Sequence, residues 1–204
     1  KAVNKYGQTS LHIACRIKNL KILQLLLNAE PSVASSADIF GWTPLMIACE
    51  AVDLPTVQCL MEAQADVKAI NCYGKTSLHI ACRKKNLKIV QLLLNVEPNV
   101  ASSPDKFGWT PLMVACRAVH LPTVQYLVEA KADVQAINSD GDGLLHLAAE
   151  SRDMSMTRYL VKKTQANINA VNNIGQTPLS IACRNEDSLM MKLLIDSKAN
   201  LETS

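Results

Sequence analysis

One motif returns six times along the chain and leaves few folds open to it. The segments GQTSLHIAC (7–15), GWTPLMIAC (41–49), GKTSLHIAC (74–82), GWTPLMVAC (108–116), GDGLLHLAA (141–149) and GQTPLSIAC (175–183) open on Gly7, Gly41, Gly74, Gly108, Gly141 and Gly175, at spacings that alternate between 34 and 33 residues. A fixed period of this size is the mark of a stack of small units, each too short to bury its apolar face alone. The 204 residues are therefore divided into rungs rather than wrapped around one core.

Each rung has the same physical grammar. The glycine suits a turn with positive φ. Thr43–Pro44, Thr110–Pro111 and Thr177–Pro178 pair a helix-capping hydroxyl with a proline at the first helical position, where the missing N–H costs nothing. A short helix of about two turns comes after it, then a polar break (Lys18–Asn19, Lys85–Asn86, Glu186–Asp187) or a proline start (Leu54–Pro55, Leu121–Pro122). A second, leucine-rich helix comes next (KILQLLLN, TVQCLMEA, KIVQLLLN, TVQYLVEA, MTRYLVKK, LMMKLLID), and an extended stretch such as Ala65–Ala69 leads to the next glycine. With 49% hydrophobic residues but only 4% aromatic, the apolar mass is aliphatic, as many short helices require.

A turn and then two helices, the first opened by the T-P-L-H-x-A pattern, resembles the ankyrin repeat. The tetratricopeptide array shares the 34-residue period, but its Trp…Leu-Gly…Tyr pattern is absent. The resemblance covers the chain in six copies starting near 4, 38, 71, 105, 138 and 172. It implies an all-α ankyrin-repeat solenoid of stacked helix-turn-helix units with protruding β-turn fingers, one array over 1–204. Lys1–Tyr6 matches the tail and turn of a preceding repeat, and Leu201–Ser204 stops where another would begin. Helix 2 of the last repeat (Leu189, Met190, Met191, Leu193, Leu194, Ile195) is as apolar as the internal ones. The expectation is a piece of a longer array.

A second period lies on the first. Residues 6–71 match 73–138 with 14 differences in 66 positions, so repeats 1–2 and 3–4 are near-duplicates. In the first and third repeats Glu30-Pro31-Ser32-Val33 and Glu97-Pro98-Asn99-Val100 replace the usual Gly-Ala-Asp stretch and add one residue, leaving the connection there open.

The residue types that suggest chemistry fall into the same rungs. Cys15, Cys49, Cys82, Cys116 and Cys183 share one place, with Ala149 in the sixth copy, where a small buried side chain belongs. Cys59 is expected to pack on helix 2, and Cys72 to be exposed in a turn. No CxxC spacing for zinc exists, and seven scattered cysteines suit a reducing compartment, cytoplasmic or nuclear. His12, His79 and His146 are the His of T-P-L-H, with a structural hydrogen bond as their expected role, while His120 is expected in a solvated inter-helix position. No P-loop, dinucleotide fingerprint, nucleophile elbow or HExxH motif occurs. The expectation is a protein without catalysis, cofactor, metal or small-molecule substrate. No apolar run approaches the roughly 18 residues of a membrane span, so contact with a membrane would be indirect.

The resemblance further implies a ligand on the concave side, touching the turn tips and the exposed face of helix 1. The matching positions carry Tyr6, Phe40, Trp42, Tyr73, Phe107 and Trp109, six of the eight aromatics, together with Arg16, Lys75, Arg83, Lys84, Lys106 and Arg117. Aromatics and Arg dominate interface energetics. Four differences between the near-duplicates fall here (Gln8 against Lys75, Ile17 against Lys84, Ile39 against Lys106, Glu50 against Arg117), and all four make the second copy more positive. Repeat 5 is acidic, with Asp140, Asp142 and Glu150. The expected partner is an extended or helical protein segment, acidic and apolar where it meets the basic repeats. Nucleic acid or anionic lipid is an alternative ligand, disfavoured by acidic repeat 5 and by a net charge of only +3. A mechanical spacer in a cytoskeletal or channel protein is a further one.

Overall fold

In a computed structural model residues 3–201 are described, and they contain twelve α-helices and no strand. They form two compact units, one ending at Lys106 and one beginning at Phe107. Lys1, Ala2 and residues 202–204, on which part of the expected partial repeats rests, lie outside the described residues.

The first unit carries α1 (Ser10–Arg16), α2 (Leu20–Ala29), α3 (Pro44–Ala51), α4 (Leu54–Glu62), α5 (Ser77–Arg83) and α6 (Leu87–Val96). The second carries α7 (Pro111–Arg117), α8 (Leu121–Glu129), α9 (Leu144–Glu150), α10 (Met154–Lys163), α11 (Pro178–Arg184) and α12 (Ser188–Asp196). In each unit the two helices of a repeat pack on one another, and first helices pack on first helices (α1 on α3, α3 on α5; α7 on α9, α9 on α11). Second helices stack likewise, α2 on α4, α4 on α6 and α10 on α12. Both units are thus all-α repeat stacks whose core lies between neighbouring repeats, with Leu45, Met46, Leu60, Leu78, Ile89 and Leu93 fully buried in the first.

The caps form as the sequence dictates. Thr43 and Thr110 accept at 3.3 Å from the amides of Met46 and Met113, and Asn19 and Asn86 cap the second helices of repeats 1 and 3. His120, expected in solvent, is instead half-buried at the start of α8, its Nδ1 2.8 Å from Thr123 Oγ1; a side chain next to a helix start is drawn in by the first turn's hydroxyl. The stretches that carry an extra residue become short 3-10 helices, Pro31–Ser35 and Pro98–Ser102, with Val33 and Val100 turned into the core.

Five of the fingers are each organised by one side-chain oxygen. Asn71 Oδ1 accepts from the amides of Tyr73 and Lys75, both at 3.0 Å; Asn4, Asp38, Asn138 and Asn172 repeat the arrangement. All six finger glycines have φ between 73° and 80°. At Gly74 the need is double, because a Cβ would also stand 2.7 Å from the Lys106 amide nitrogen. Fingers are tied by single backbone bonds: Ile39 N to Tyr6 O (3.1 Å), Cys72 N to Phe40 O (2.8 Å) and Lys106 N to Tyr73 O (3.0 Å) in the first unit, Ser139 N to Phe107 O and Asn173 N to Asp140 O (both 2.9 Å) in the second.

Candidate functional site

The histidines and cysteines hold the scaffold together. Thr9 donates its amide (3.1 Å) and hydroxyl (2.8 Å) to His12 Nδ1, so the ring proton sits on Nε2 and is donated to Trp42 O at 3.0 Å. His12 therefore couples its own helix start to the next finger. His146 does the same between Gly143 and Gln176 O. Burial lowers the His12 pKa, since the charged ring would lose water. Cys15, Cys49, Cys82 and Cys116 are buried and reduced, and burial pushes the Cys15 and Cys116 thiols up to about 12. Cys59 is half-buried, and Cys72 is exposed as its turn position suggests. Cys183 departs from the expectation for its rung: it is exposed, because no further helix stacks on α11 among the described residues.

The aromatic line divides by depth. Tyr6, Phe40, Tyr73 and Phe107 stand at the finger tips, between 45% and 53% exposed. Trp42 and Trp109 lie deeper, half-buried beside the first helices. In the first unit Phe40, Trp42 and Ile47 line a cavity of about 560 Å³ together with Arg16, Lys18 and Glu50. Arg16 is exposed at the end of α1, as is Lys106 at a finger tip.

The basic residues of this unit are more engaged than their spacing suggests. Glu50 pairs with Arg83 and, at 2.6 Å, with Lys84, both one repeat on. Lys75 lies 3.8 Å from the buried carboxylate of Asp105. Two cations on one carboxylate leave the Glu50 cluster with a net positive charge, arranged by the protein rather than by a ligand. Glu50 in that role, and Asp38 and Asp105 at the finger bases, escaped sequence reasoning. A signal was present: the finger base is acidic where the preceding finger offers a donor (Gln8 to Asp38, 3.3 Å; Lys75 to Asp105) and an amide where it offers Asp142 (Asn172 Nδ2 to Asp142, 2.9 Å).

In the second unit the Arg117 guanidinium lies over the Trp109 ring, 5.3 Å from its centroid, a cation–π pair. Arg117 also lines a cavity of about 350 Å³ with Asp140, Asp142, Glu150 and Arg184. Glu150 accepts from Arg184 at 2.5 Å. Where the first unit leaves its tryptophan facing a cavity, the second covers it with its own arginine, a consequence of Glu50 giving way to Arg117.

Among the described residues no group of three or more His, Cys, Asp or Glu is placed to hold a metal ion, and no helix is long and apolar enough to cross a membrane. Comparison with curated proteins gives no match. The family model described as "Ankyrin repeats (3 copies)" matches residues 1–71, 50–138 and 120–204. Glycine-anchored fingers, capped first helices and leucine-rich second helices therefore accord with a match that runs the length of the chain, and the protein belongs to the ankyrin-repeat family.

Proposed function

We propose that this protein is a non-catalytic scaffold whose first unit holds an acidic, apolar segment of a partner protein along its fingers and first helices. Ankyrin repeats are generally protein–protein interaction modules, and proteins built from them are typically non-enzymatic scaffolds. One observation carries the reading: the cavity that joins Phe40, Trp42 and Ile47 to Arg16 and Lys18. An apolar side chain of the partner fills the space against Trp42, while a carboxylate beside it meets Arg16 and the positive cluster on Glu50. The finger-tip aromatics supply rigid contact area at low entropic cost. Charge complementarity sets direction and on-rate more than affinity. The second unit, with Arg117 over Trp109 and three carboxylates nearby, offers a surface of mixed charge to a flanking part of the partner.

Selection from a displayed library of random peptides tests this. Enriched sequences are expected to place Asp or Glu beside Leu, Phe or Trp. The Arg16→Ala/Trp42→Ala variant, folded by circular dichroism, should bind the enriched peptides at least about 2 kcal/mol more weakly, as hot-spot truncations do. Trp109→Ala/Arg117→Ala separates the contribution of the second unit. Enrichment of basic peptides, or unchanged affinity in both variants, rules the reading out.

A further inference from the structure

The near-duplication supplies an internal control for one short segment. Ser36-Ala37-Asp38-Ile39 in the first copy stands as Ser103-Pro104-Asp105-Lys106 in the second. The backbone is the same in both: Ser36 follows the 3-10 helix of repeat 1 at φ −64°, ψ 132°, and Ser103 follows that of repeat 3 at φ −67°, ψ 120°. In each copy the serine is half-buried, the next residue exposed, the aspartate buried and the fourth residue exposed. Two of the 14 differences between the copies thus change the chemistry on an unchanged frame.

Pro104 and Lys106 are what a proline-directed protein kinase reads. Such an enzyme takes the residue after the serine into an apolar pocket where a backbone N–H would be left without an acceptor, and proline has none. A cation three residues after the serine meets an acidic patch on the enzyme. The serine itself has to lie extended with its hydroxyl free. Ser103 is extended, as the residue before a proline is biased to be. Its hydroxyl has no hydrogen-bond partner among the described residues. The chain has three other Ser/Thr–Pro pairs, at Thr43, Thr110 and Thr177, and all three are helix caps. Their hydroxyls accept from the amides of Met46, Met113 and Ser180, the residues that stand where Lys106 stands after Ser103. Those pairs therefore lack both the free hydroxyl and the cation.

We propose that Ser103 is a phosphorylation site for a proline-directed protein kinase. Ser103 Oγ attacks the γ-phosphorus of magnesium ATP, the bond from that phosphorus to the β,γ-bridging oxygen breaks, ADP leaves, and the hydroxyl proton passes to the catalytic aspartate of the kinase. The phosphoserine carries a charge of about −1.5 to −2 at neutral pH. It precedes Asp105, whose buried carboxylate lies 3.8 Å from Lys75, and Lys106. The modification thus offsets the positive charge that Lys75 and Lys106 give to this copy alone.

Incubation of the folded chain with magnesium ATP and a cyclin-dependent kinase, with the phosphate mapped by tandem mass spectrometry, tests the site. One phosphate is expected, on Ser103, with Ser36, Thr43, Thr110 and Thr177 unmodified, and Ser103→Ala should take up none. Ala37→Pro/Ile39→Lys transplants the recognition to the first copy and should add a second phosphate, on Ser36. Both positions are exposed, and the Ala37 amide makes no hydrogen bond among the described residues, so a proline is accommodated there. A folded chain left unmodified at Ser103 overturns the proposal, even where a synthetic peptide of residues 97–110 is phosphorylated. Equal phosphate on Ser36 of the wild type, or a transplant variant that gains none, overturns it as well.

Discussion

His12 shows how a single side chain fixes a junction and what protonation does to it. Its Nδ1 accepts two hydrogen bonds from Thr9, so a proton arriving there displaces a donor as well as charging a buried ring. The folded pKa is below the ordinary 6.5. The unfolded chain then binds the proton more readily, so this contribution to stability is present above 6.5 and is lost as pH falls through 6.5 toward the folded value. Urea midpoints should drop between pH ~7.5 and ~5.5, and the His12 ring should titrate below about 6.5 by NMR; a ring titrating higher would contradict the assignment. Val52 is a second case. It ends α3 at φ 57°, ψ 40°, a left-handed conformation costly for a β-branched residue, and its side chain is 43% exposed. Val52→Asn should stabilise the fold by up to about 1 kcal/mol in urea unfolding, since Asn tolerates the left-handed region better than a β-branched residue and keeps a side chain over the same surface. A lower midpoint would show that Val52 is not strained.

Among the elements, the helices were legible because each carries its own signals: a Thr or Asn cap, a proline at the first position, a leucine face. The break between the two helices of a repeat was legible only as polarity. In the structure Lys18, Val52, Lys85, Val119, Arg152 and Glu186 all turn there with positive φ, and none of them is the glycine that advertises such a turn. The 3-10 helices after α2 and α6 were hidden for a different reason. Pro31 and Pro98 stop the preceding pattern, but the path of the chain beyond them depends on Val33 and Val100 finding the core, a tertiary choice. The candidate site was half legible in the same sense. Spacing put Trp42, Arg16 and Phe40 on one face, yet the pairing of Glu50 with Arg83 and Lys84 depends on rotamers across a junction, which a linear spacing does not contain.

Across the molecule, stability in a repeat stack is a sum of repeat terms and nearest-neighbour terms rather than of one core. The two tryptophans report on this, because Trp42 lies in the first unit and Trp109 in the second. Leu60 is fully buried in α4, and Leu60→Ala should cost about 2–5 kcal/mol. Trp109→Phe and Trp42→Phe backgrounds isolate one fluorescence signal each. The urea midpoint reported by Trp42 should fall further than that reported by Trp109; equal shifts would mean that the two units unfold as one. The fingers carry a further consequence, for synthesis. Among the described residues the cross-repeat hydrogen bonds from Tyr6–Ile39 to Glu150–Arg184 include Ser35–Asp66, Cys116–Leu144 and Ala149–Asn185, which join residues 28 to 36 apart. At a ribosome adding about 5–20 residues per second, each junction can close within seconds of its second partner emerging. These bonds do not wait for distant parts of the chain, so a nascent repeat is not long without its neighbour.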